Sequence, residues 1–201
     1  MIETIRSVLA VPWGYQFFFN VIGARERSRI LVREYIQPRQ GDRILEIGCG
    51  PGTIIPFLPK TEYVGFDASP VYIKRARNRF PDGKFVCERV SQYTLPQREY
   101  FDIVLALGIV HHLADEEALQ LFRIAYAGLK PRGKVVTLDG VWTKHQSRAS
   151  RYIQARDRGH FIREEKAYIS LAQEVFPTVR SSIRHDLLRI PYTHIIMECV
   201  R

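Results

Sequence analysis

The sequence predicts an α/β fold with a mostly parallel sheet, and three observations lead to that prediction. Short apolar segments alternate with amphipathic segments five times along the chain. The segment 101–107 (FDIVLAL) is apolar at almost every position, which is typical of a strand buried on both faces of a parallel sheet. The stretch LEIGCGPGT at 45–53 places glycines at every second position directly after an apolar run, where α/β folds bind ligands.

The first half of the chain supplies three strands and three helices of this pattern. The first helix has apolar residues at helical spacing and is followed by Pro38. Ser69 and Pro70 are the residue types preferred at the N-cap and first position of a helix. The predicted elements are a helix over 25–36, a strand over 43–47, a short helix near 53–58, a strand over 63–67, a helix from 69 to about 80 and a strand over 84–87.

The second half continues the alternation and then closes the sheet. Acidic residues at 115–117 complement the dipole at a helix start, and the turn residues KPRG at 130–133 end that helix. The final two strands have no crossover helix between them, so they should pair antiparallel. The predicted elements are a strand over 101–107, a helix from 115 to about 129, a strand over 134–139, a basic irregular connection over 142–163, a helix over 164–176 and strands over 179–187 and 192–200.

Composition places the chain among globular proteins of one domain. The 201 residues include 46% hydrophobic and 25% charged residues, and the net charge of +9 favours acidic or phosphate-bearing partners. Nucleic acid is one such partner, although charge alone does not favour it. The cysteines, Cys49, Cys87 and Cys199, lack metal-ligand spacing and predict no metal site or disulfide framework, which fits a cytoplasmic setting. We expect no signal peptide and no membrane span.

The residues around the glycines restrict the ligand. The spacing G-x-G-x-G followed by Thr53 departs from the fingerprint that binds a dinucleotide pyrophosphate. Glu46 precedes the first glycine by two residues, where a carboxylate would repel a pyrophosphate and attract an ammonium group. Asp67 ends the second strand, where a carboxylate can accept hydrogen bonds from ribose hydroxyls. The ligand that fits is a nucleoside with a positively charged amino-acid tail and no phosphate.

Four segments together resemble the class I S-adenosylmethionine-dependent methyltransferases. They are LEIGCGPGT at 45–53, YVGFDASP at 63–70, FDIVLALGIVHHL at 101–113 and LKPRGKVVTLD at 129–139. Within that superfamily the chain resembles small bacterial members of unassigned substrate, through a D-R-G turn at 157–159 and the stretch RIPYTH at 189–194.

The resemblance implies a Rossmann-like fold in one domain over 1–201. Its seven-stranded, mostly parallel sheet would have the order 3-2-1-4-5-7-6, with strand 7 antiparallel and helices on both faces. Residues 1–40 would form an N-terminal helical cover, and residues 142–163 would form a basic connection on the substrate side.

The same resemblance implies how S-adenosylmethionine is held. One position departs from the family: Arg89 stands where an acid often accepts from the adenine amino group, with Glu88 just before it. Tyr15 and Arg29 are further candidates for the methionine carboxylate, although core packing and a solvated helix face are the favoured interpretations of these two. The implied cofactor residues are Glu46, Gly48, Cys49, Gly50 and Gly52 at the methionine end, Asp67 at the ribose, Ala68, Ser69, Val90 and Ser91 around the adenine, and Leu107 near the methyl group.

Two groups of residues are candidates for the chemistry. His111 and His112 follow strand four, and either could be a general base or part of a structural pair. Arg151 and Arg158 in the basic connection could bind an anionic acceptor, or they could lie on a solvated turn and pair with nearby acids. Other arginines of this connection share those alternatives. Tyr192 and His194 are interpreted as sheet packing, with the alternative that His194 reaches the pocket. These further arginines are Arg148, Arg156 and Arg163.

The sequence therefore favours a methyltransferase that uses S-adenosylmethionine on a small anionic acceptor and releases S-adenosylhomocysteine. The alternatives are an RNA or protein methyltransferase and a catalytically silent S-adenosylmethionine-binding protein. A dinucleotide oxidoreductase is disfavoured by Glu46 and Thr53. We expect a monomer or homodimer.

Overall fold

A sheet of seven long strands lies at the centre of the computed structural model, which describes residues 23–201. The order β3-β2-β1-β4-β5-β8-β7 and the antiparallel pairing of β8 with both β5 and β7 confirm the predicted topology. One short strand, β6, pairs with the end of β5 and was not predicted. The strands are β1 Arg43–Ile47, β2 Glu62–Asp67, β3 Lys84–Cys87, β4 Phe101–Leu107, β5 Leu129–Trp142, β6 Arg163–Glu164, β7 Thr178–Arg184 and β8 His194–Val200.

The helices follow the predicted alternation with two corrections. The short helix near 53–58 is a single 3₁₀ turn, Ile55–Phe57. The connection over 142–163 is not irregular throughout, because Ser147 caps a helix there by accepting from the backbone N–H of Ser150. The helices are α1 Ala24–Ile30, which continues into a π-helical segment Leu31–Ile36, α2 Pro70–Arg79, α3 Asp115–Gly128, α4 Arg148–Gln154 and α5 Glu165–Gln173, with a second 3₁₀ turn at Val110–His112.

Strand β5 is longer than predicted at both ends. The KPRG segment does not form a turn before it but an irregularity within it, since Leu129 already pairs with Phe101 and the register then shifts. Arg132 has a φ of 65° at this irregularity. At its other end β5 continues to Trp142, where β6 pairs with it. From Trp142 the chain continues through residues 143–147 to the start of α4.

Two apolar clusters cover the two faces of the sheet. Val104 and Ala106 of β4 pack in the cluster that holds α3 and α5, whereas Ile103 and Leu105 pack in the cluster that holds α2 and the 31–36 segment. This alternation confirms that β4 is buried on both faces. Within residues 23–201, no helix has the length and apolar character that crossing a membrane requires.

Candidate functional site

A cavity of about 940 Å³ lies at the carboxyl ends of the parallel strands. It brings together most of the residues that the sequence predicted for the site. Those that line it are Glu46, Gly48, Cys49, Gly50, Asp67, Ala68, Val90, Leu107, His111, His112 and Arg158. Those that do not line it are Gly52, Ser69, Ser91, Arg29 and Arg151. Tyr15 lies outside the described residues, as does most of the predicted N-terminal cover.

The three loop glycines have different roles. A Cβ on Gly48 would lie 2.4 Å from a methyl carbon of Ile109, and one on Gly52 would lie 2.8–3.0 Å from side-chain atoms of Ile55 and Phe80. Protein packing therefore requires these two glycines. Gly50, at a φ of +52°, has nothing within 4 Å of the same position and lines the cavity. It is the glycine whose missing side chain leaves room for a ligand against the backbone.

Glu46 places a buried carboxyl group in the cavity wall. It is 3% exposed, and the hydroxyl of Tyr63 donates to its Oε2. Burial raises the pKa of Glu46 to about 8, the Tyr63 hydrogen bond opposes the rise, and the charge of Asp67 adds to it. A buried carboxyl group of this kind is compensated when a positively charged ligand group binds beside it.

The loop backbone holds Asp67 in position. Its Oδ2 accepts from the backbone N–H of Gly50 at 2.9 Å, and its Oδ1 accepts from the backbone N–H of Ser69 at 2.8 Å. Each carboxylate oxygen retains a lone pair for a ligand hydroxyl. Ser69 thus orients Asp67 and caps α2 through its own Oγ, which accepts from the backbone N–H of Tyr72.

The segment after β3 supplies an acid that the sequence assignment had not selected. Glu88 and Arg89 both line the cavity, beside the buried Val90. Glu88 is fixed by its backbone N–H, which donates to the carbonyl of Asp67. The cavity therefore has a carboxyl group after β3, although Arg89 occupies the position where the family often has an acid.

His111 lies between two carboxyl groups. Its Nδ1 is 2.7 Å from Oδ1 of Asp139, which also accepts from the His111 backbone N–H at 3.1 Å. Its Nε2 is 3.6 Å from Oδ1 of Asp157. Burial alone would lower the pKa of His111, but Asp139 and Asp157 together raise it to about 9. In the free protein this ring is therefore mostly protonated at neutral pH.

His112 differs from its neighbour in both exposure and charge. It is exposed and lines the cavity, with its ring centroid 4.3 Å from that of His111. Partial burial of the ring and the positive charge of His111 lower the pKa of His112. At neutral pH His112 is the neutral imidazole of the pair.

The D-R-G turn at 157–159 and the stretch RIPYTH at 189–194 meet at Asp157. Its Oδ2 accepts from the hydroxyl of Tyr192 at 2.8 Å, and its Oδ1 accepts from the backbone N–H of Gly159 at 2.9 Å. These bonds and His111 hold the pKa of Asp157 well below its ordinary value, against the effect of burial. A Cβ on Gly159 would lie 2.0 Å from the His111 ring, so the D-R-G turn packs directly on that ring.

Several of these residues were missed from the sequence. Asp139 resembled any other residue at the end of a strand, and Asp157 was considered only as part of the D-R-G turn and as one of the acids that could pair with nearby arginines. Tyr192 and His194 were interpreted as sheet packing, with the pocket as an alternative for His194 alone, and both line the cavity. His194 is buried, its pKa is lowered to about 3 by burial and by the charge of Arg27, and its Nδ1 has no hydrogen-bond partner among residues 23–201.

The arginines of the basic connection divide into two groups. Arg156 and Arg158 line the cavity, and neither forms an ion pair with a carboxylate in the part of the chain that the structure describes. Arg163 instead pairs with Asp115 at 2.6 Å and donates to backbone carbonyls. Arg151 lies over the Trp142 ring, away from the cavity.

Arg29 also lies outside the cavity. Its guanidinium donates to Glu26, one turn earlier on α1, and both side chains are 58% exposed. This is the solvated helix face that the sequence favoured for Arg29.

Comparison with known proteins agrees with this geometry. Residues 44–133, from β1 into β5, match the family model of the methyltransferase domain. The chain carries a methyltransferase domain over these residues, and this domain supports a class I S-adenosylmethionine-dependent methyltransferase. S-adenosylmethionine is the cofactor of such methyltransferases, and the site fits it: Glu46 suits the ammonium group, Asp67 suits the ribose, and Gly50 leaves the backbone open.

The chain is similar to two curated relatives and one solved structure that act, by their names, on different substrates. The chain is 26% identical to trans-aconitate 2-methyltransferase of Afipia carboxidovorans over 181 residues, which cover 88% of this chain and 68% of that protein. It is 28% identical to "Probable tRNA methyltransferase 9B" of Homo sapiens over 129 residues, which cover 63% of this chain and 27% of that protein.

The structural similarity concerns the fold. Haemonchus contortus phosphoethanolamine N-methyltransferase 2, in complex with phosphomonomethylethanolamine and S-adenosylhomocysteine, superposes with a TM-score of 0.69. It is 18% identical, and the match covers 88% of this methyltransferase and 52% of that chain.

Proposed function

We propose that this methyltransferase transfers the methyl group of S-adenosylmethionine to a small anionic acceptor bound beside Arg156 and Arg158. The observation that carries the proposal is that one cavity is lined both by the carboxyl groups of Glu46 and Asp67 at the glycine loop and by Arg156 and Arg158, which we call the arginine end. Asp139 and Asp157 line the same cavity and face His111, whereas these two arginines have no carboxylate partner among residues 23–201.

At the glycine-loop end, this chain's residues would bind and orient the cofactor. Glu46 would pair with the ammonium group, and Asp67, held by two backbone N–H groups, would accept from the ribose hydroxyls. Glu88 would face the adenine together with the apolar side chain of Val90. When bound, the cofactor would supply a methyl group on a sulfonium, and the residues of the cavity would orient that group toward the acceptor.

Of the two histidines, His112 is the candidate base. His111 is already protonated at neutral pH, with a pKa of about 9, and has no free lone pair to accept a proton. His112 is neutral, exposed and in the cavity wall. It would accept the proton that a hydroxyl or amine acceptor loses as its oxygen or nitrogen bonds to the methyl carbon, whereas a carboxylate acceptor loses none.

The arginine end favours an acceptor with a planar anionic group. A guanidinium donates two parallel hydrogen bonds to a carboxylate or phosphate, and Arg158 forms no ion pair with a described carboxylate that would compete. The Afipia relative acts, by its name, on trans-aconitate, which is a carboxylate. The similarity to this relative supports an acceptor that carries a carboxylate, and it does not identify the acceptor.

A second candidate acceptor is tRNA. The net charge is +9, and the human relative is named as a probable tRNA methyltransferase. Arg148 and Arg151 are exposed and lie outside the cavity, where they could contact a phosphate backbone. Such binding would weaken steeply with added salt, whereas binding of a small acceptor inside the cavity would depend on salt much less.

Transfer of a labelled methyl group tests the proposal. The protein is incubated with methyl-labelled S-adenosylmethionine and either a panel of small carboxylates and phosphates or bulk tRNA. We expect label in one small anion, matched by S-adenosylhomocysteine, and a higher KM in Arg158→Ala than in Arg151→Ala. Label in tRNA alone, or no difference between the two variants, would overturn the proposal.

A further inference from the structure

We propose that His111, His112 and Asp157 form a binding site for one divalent transition-metal ion at the acceptor end of the cavity. Each residue offers one ligand atom, and these three atoms all lie within 4.8 Å of one another. The three residues also line the cavity, so an ion between them would face the acceptor. We call this set the His–His–Asp cluster.

The distance between the side chains of His111 and Asp157 fits two ligands of one ion better than it fits a direct hydrogen bond. Their closest polar atoms, Nε2 and Oδ1, are 3.6 Å apart. A direct hydrogen bond would bring them to about 2.7–3.2 Å. Two ligands at about 2.0–2.2 Å from one tetrahedrally coordinated ion lie roughly 3.4 Å apart. The gap therefore has the width that two ligands of one ion need.

The hydrogen bonds around the cluster orient its ligand atoms. Nδ1 of His111 is hydrogen-bonded to the buried Asp139, and its Nε2 is therefore directed at Asp157. This is the carboxylate–histidine–metal arrangement that fixes the tautomer and orientation of metal-bound imidazoles. Asp157 is fixed in turn by the hydroxyl of Tyr192 and the backbone N–H of Gly159. Both ligands are thus positioned before an ion arrives.

The charges of the cluster also favour a cation. Asp139 and Asp157 are two carboxyl groups on either side of one imidazole ring. Oδ2 of Asp139 is buried and has no hydrogen-bond partner among residues 23–201. A divalent ion bound at Nε2 of His111, with Nδ1 still hydrogen-bonded to Asp139, would balance the charges of both carboxylates.

The donor set restricts the kind of ion. Two imidazole nitrogens and one carboxylate oxygen are typical ligands of Zn²⁺ and Fe²⁺, whereas Mg²⁺ and Ca²⁺ prefer oxygen ligands alone. Three protein ligands leave at least one coordination position for an acceptor oxygen. An ion there would also lower the pKa of a coordinated hydroxyl group.

This proposal concerns the same pocket as the proposed function but does not depend on methyl transfer. It changes the role of His112, because one nitrogen lone pair cannot hold an ion and accept a proton at the same time. His112 would be a base in the metal-free protein and a ligand in the metal-bound protein. A test by direct metal binding, without an acceptor, separates the failure of one proposal from the failure of the other.

The test uses the full chain without an affinity tag, stripped with a chelator and dialysed. Co²⁺ is titrated at pH 7.5 and followed by its visible absorption, and Zn²⁺ is titrated by calorimetry. We expect one ion per chain and an affinity at least tenfold lower in Asp157→Asn and in His112→Ala. Asp139→Asn should lower the affinity by roughly 10–100-fold, since it removes only the group that orients His111.

His160→Ala is the matched control, because His160 is exposed in the same segment and lies outside the cavity. It should bind the ion as the wild type does, and circular dichroism verifies that each variant is folded. His112 is exposed, so His112→Ala should fold. It can therefore still test the proposal if a variant at a buried position does not fold. No stoichiometric binding, equal affinity in Asp157→Asn, or loss of binding in His160→Ala would overturn the proposal.

Discussion

Replacing Glu46 by Gln should change the number of protons that cofactor binding releases. The pKa of Glu46 is raised to about 8, so about 97% of this group is protonated at pH 6.5 in the free protein. Pairing with the cofactor ammonium favours the ionised carboxylate, and the proton leaves. An α-amino group has a pKa of about 7.7–8.0 and is almost fully protonated at pH 6.5, so it takes up little. The net release should be about 0.9 proton per S-adenosylhomocysteine bound.

The buried carboxyl group of Glu46 also makes the stability of the free protein depend on pH. Because the folded-state pKa of about 8 exceeds the ordinary 4.5, the folded protein binds more protons than the unfolded chain between these values. The contribution of Glu46 to stability is therefore present at low pH and is lost as pH rises from about 4.5 to about 8. The full loss is on the order of 5 kcal/mol. Glu46→Gln should remove this dependence.

Calorimetric titration with S-adenosylhomocysteine, in buffers of different ionisation enthalpy at pH 6.5, measures the proton release. Wild type should release close to one proton, and Glu46→Gln should release almost none. Glu88→Gln is the matched control, because Glu88 is a carboxyl group of the same cavity at the adenine end, and it should behave like wild type. Equal release by wild type and Glu46→Gln would refute the assignment of Glu46 to the ammonium group.

Four further outcomes are expected. Asp67→Ala should weaken binding of S-adenosylhomocysteine by about 1–3 kcal/mol in calorimetry, since the ribose hydroxyls lose their acceptor; wild-type affinity would contradict that role. Arg158→Ala should raise the acceptor KM with kcat little changed, whereas Arg151→Ala should leave KM unaltered; equal KM values would place the acceptor elsewhere. For a hydroxyl or amine acceptor, His112→Ala assayed with added chelator should lose roughly 100-fold in kcat with normal cofactor affinity, and full activity would exclude it as the base. Gly159→Ala should lower the free energy of unfolding by about 1–3 kcal/mol in denaturant titration, because its Cβ would overlap a histidine ring; an unchanged value would mean that the turn shifts without cost.

The sheet could be predicted from the sequence because its signals are local. The apolar run at 101–107 and the absence of a helix between the last two strands sufficed for the buried β4 and the antiparallel β8. The start of β5 could not be predicted in the same way. KPRG at 130–133 resembles a turn, and only pairing of Leu129 with Phe101 turns it into an irregularity within the strand.

That Glu46 and Asp67 would line one cavity could be predicted for a similar reason. Glu46 and Asp67 lie at the ends of predicted strands, whose carboxyl ends must share one edge of the sheet. The roles of the glycines were less accessible, because the atoms that exclude a side chain at Gly48 belong to Ile109, far along the chain.

The surroundings of His111 in the cavity depend on contacts that sequence patterns do not reveal. Asp157 belongs to a loop and Tyr192 to the approach to β8, and their bond forms only when both segments meet over the cavity. Asp139 could not be distinguished from an ordinary strand residue until His111 was placed against it. Arg151 and Arg158 could not be distinguished in the sequence, because only the folded chain shows that Arg158 lines the cavity and that Arg151 lies over the Trp142 ring.

The most direct test of the proposed function is a structure of the protein with bound S-adenosylhomocysteine. We expect the ammonium group within hydrogen-bond distance of Glu46, the ribose hydroxyls on Asp67, and the sulfur directed toward His112, with Arg158 free of the cofactor. Placement of the cofactor carboxylate or ribose on Arg158, or of the ammonium group away from Glu46, would contradict it.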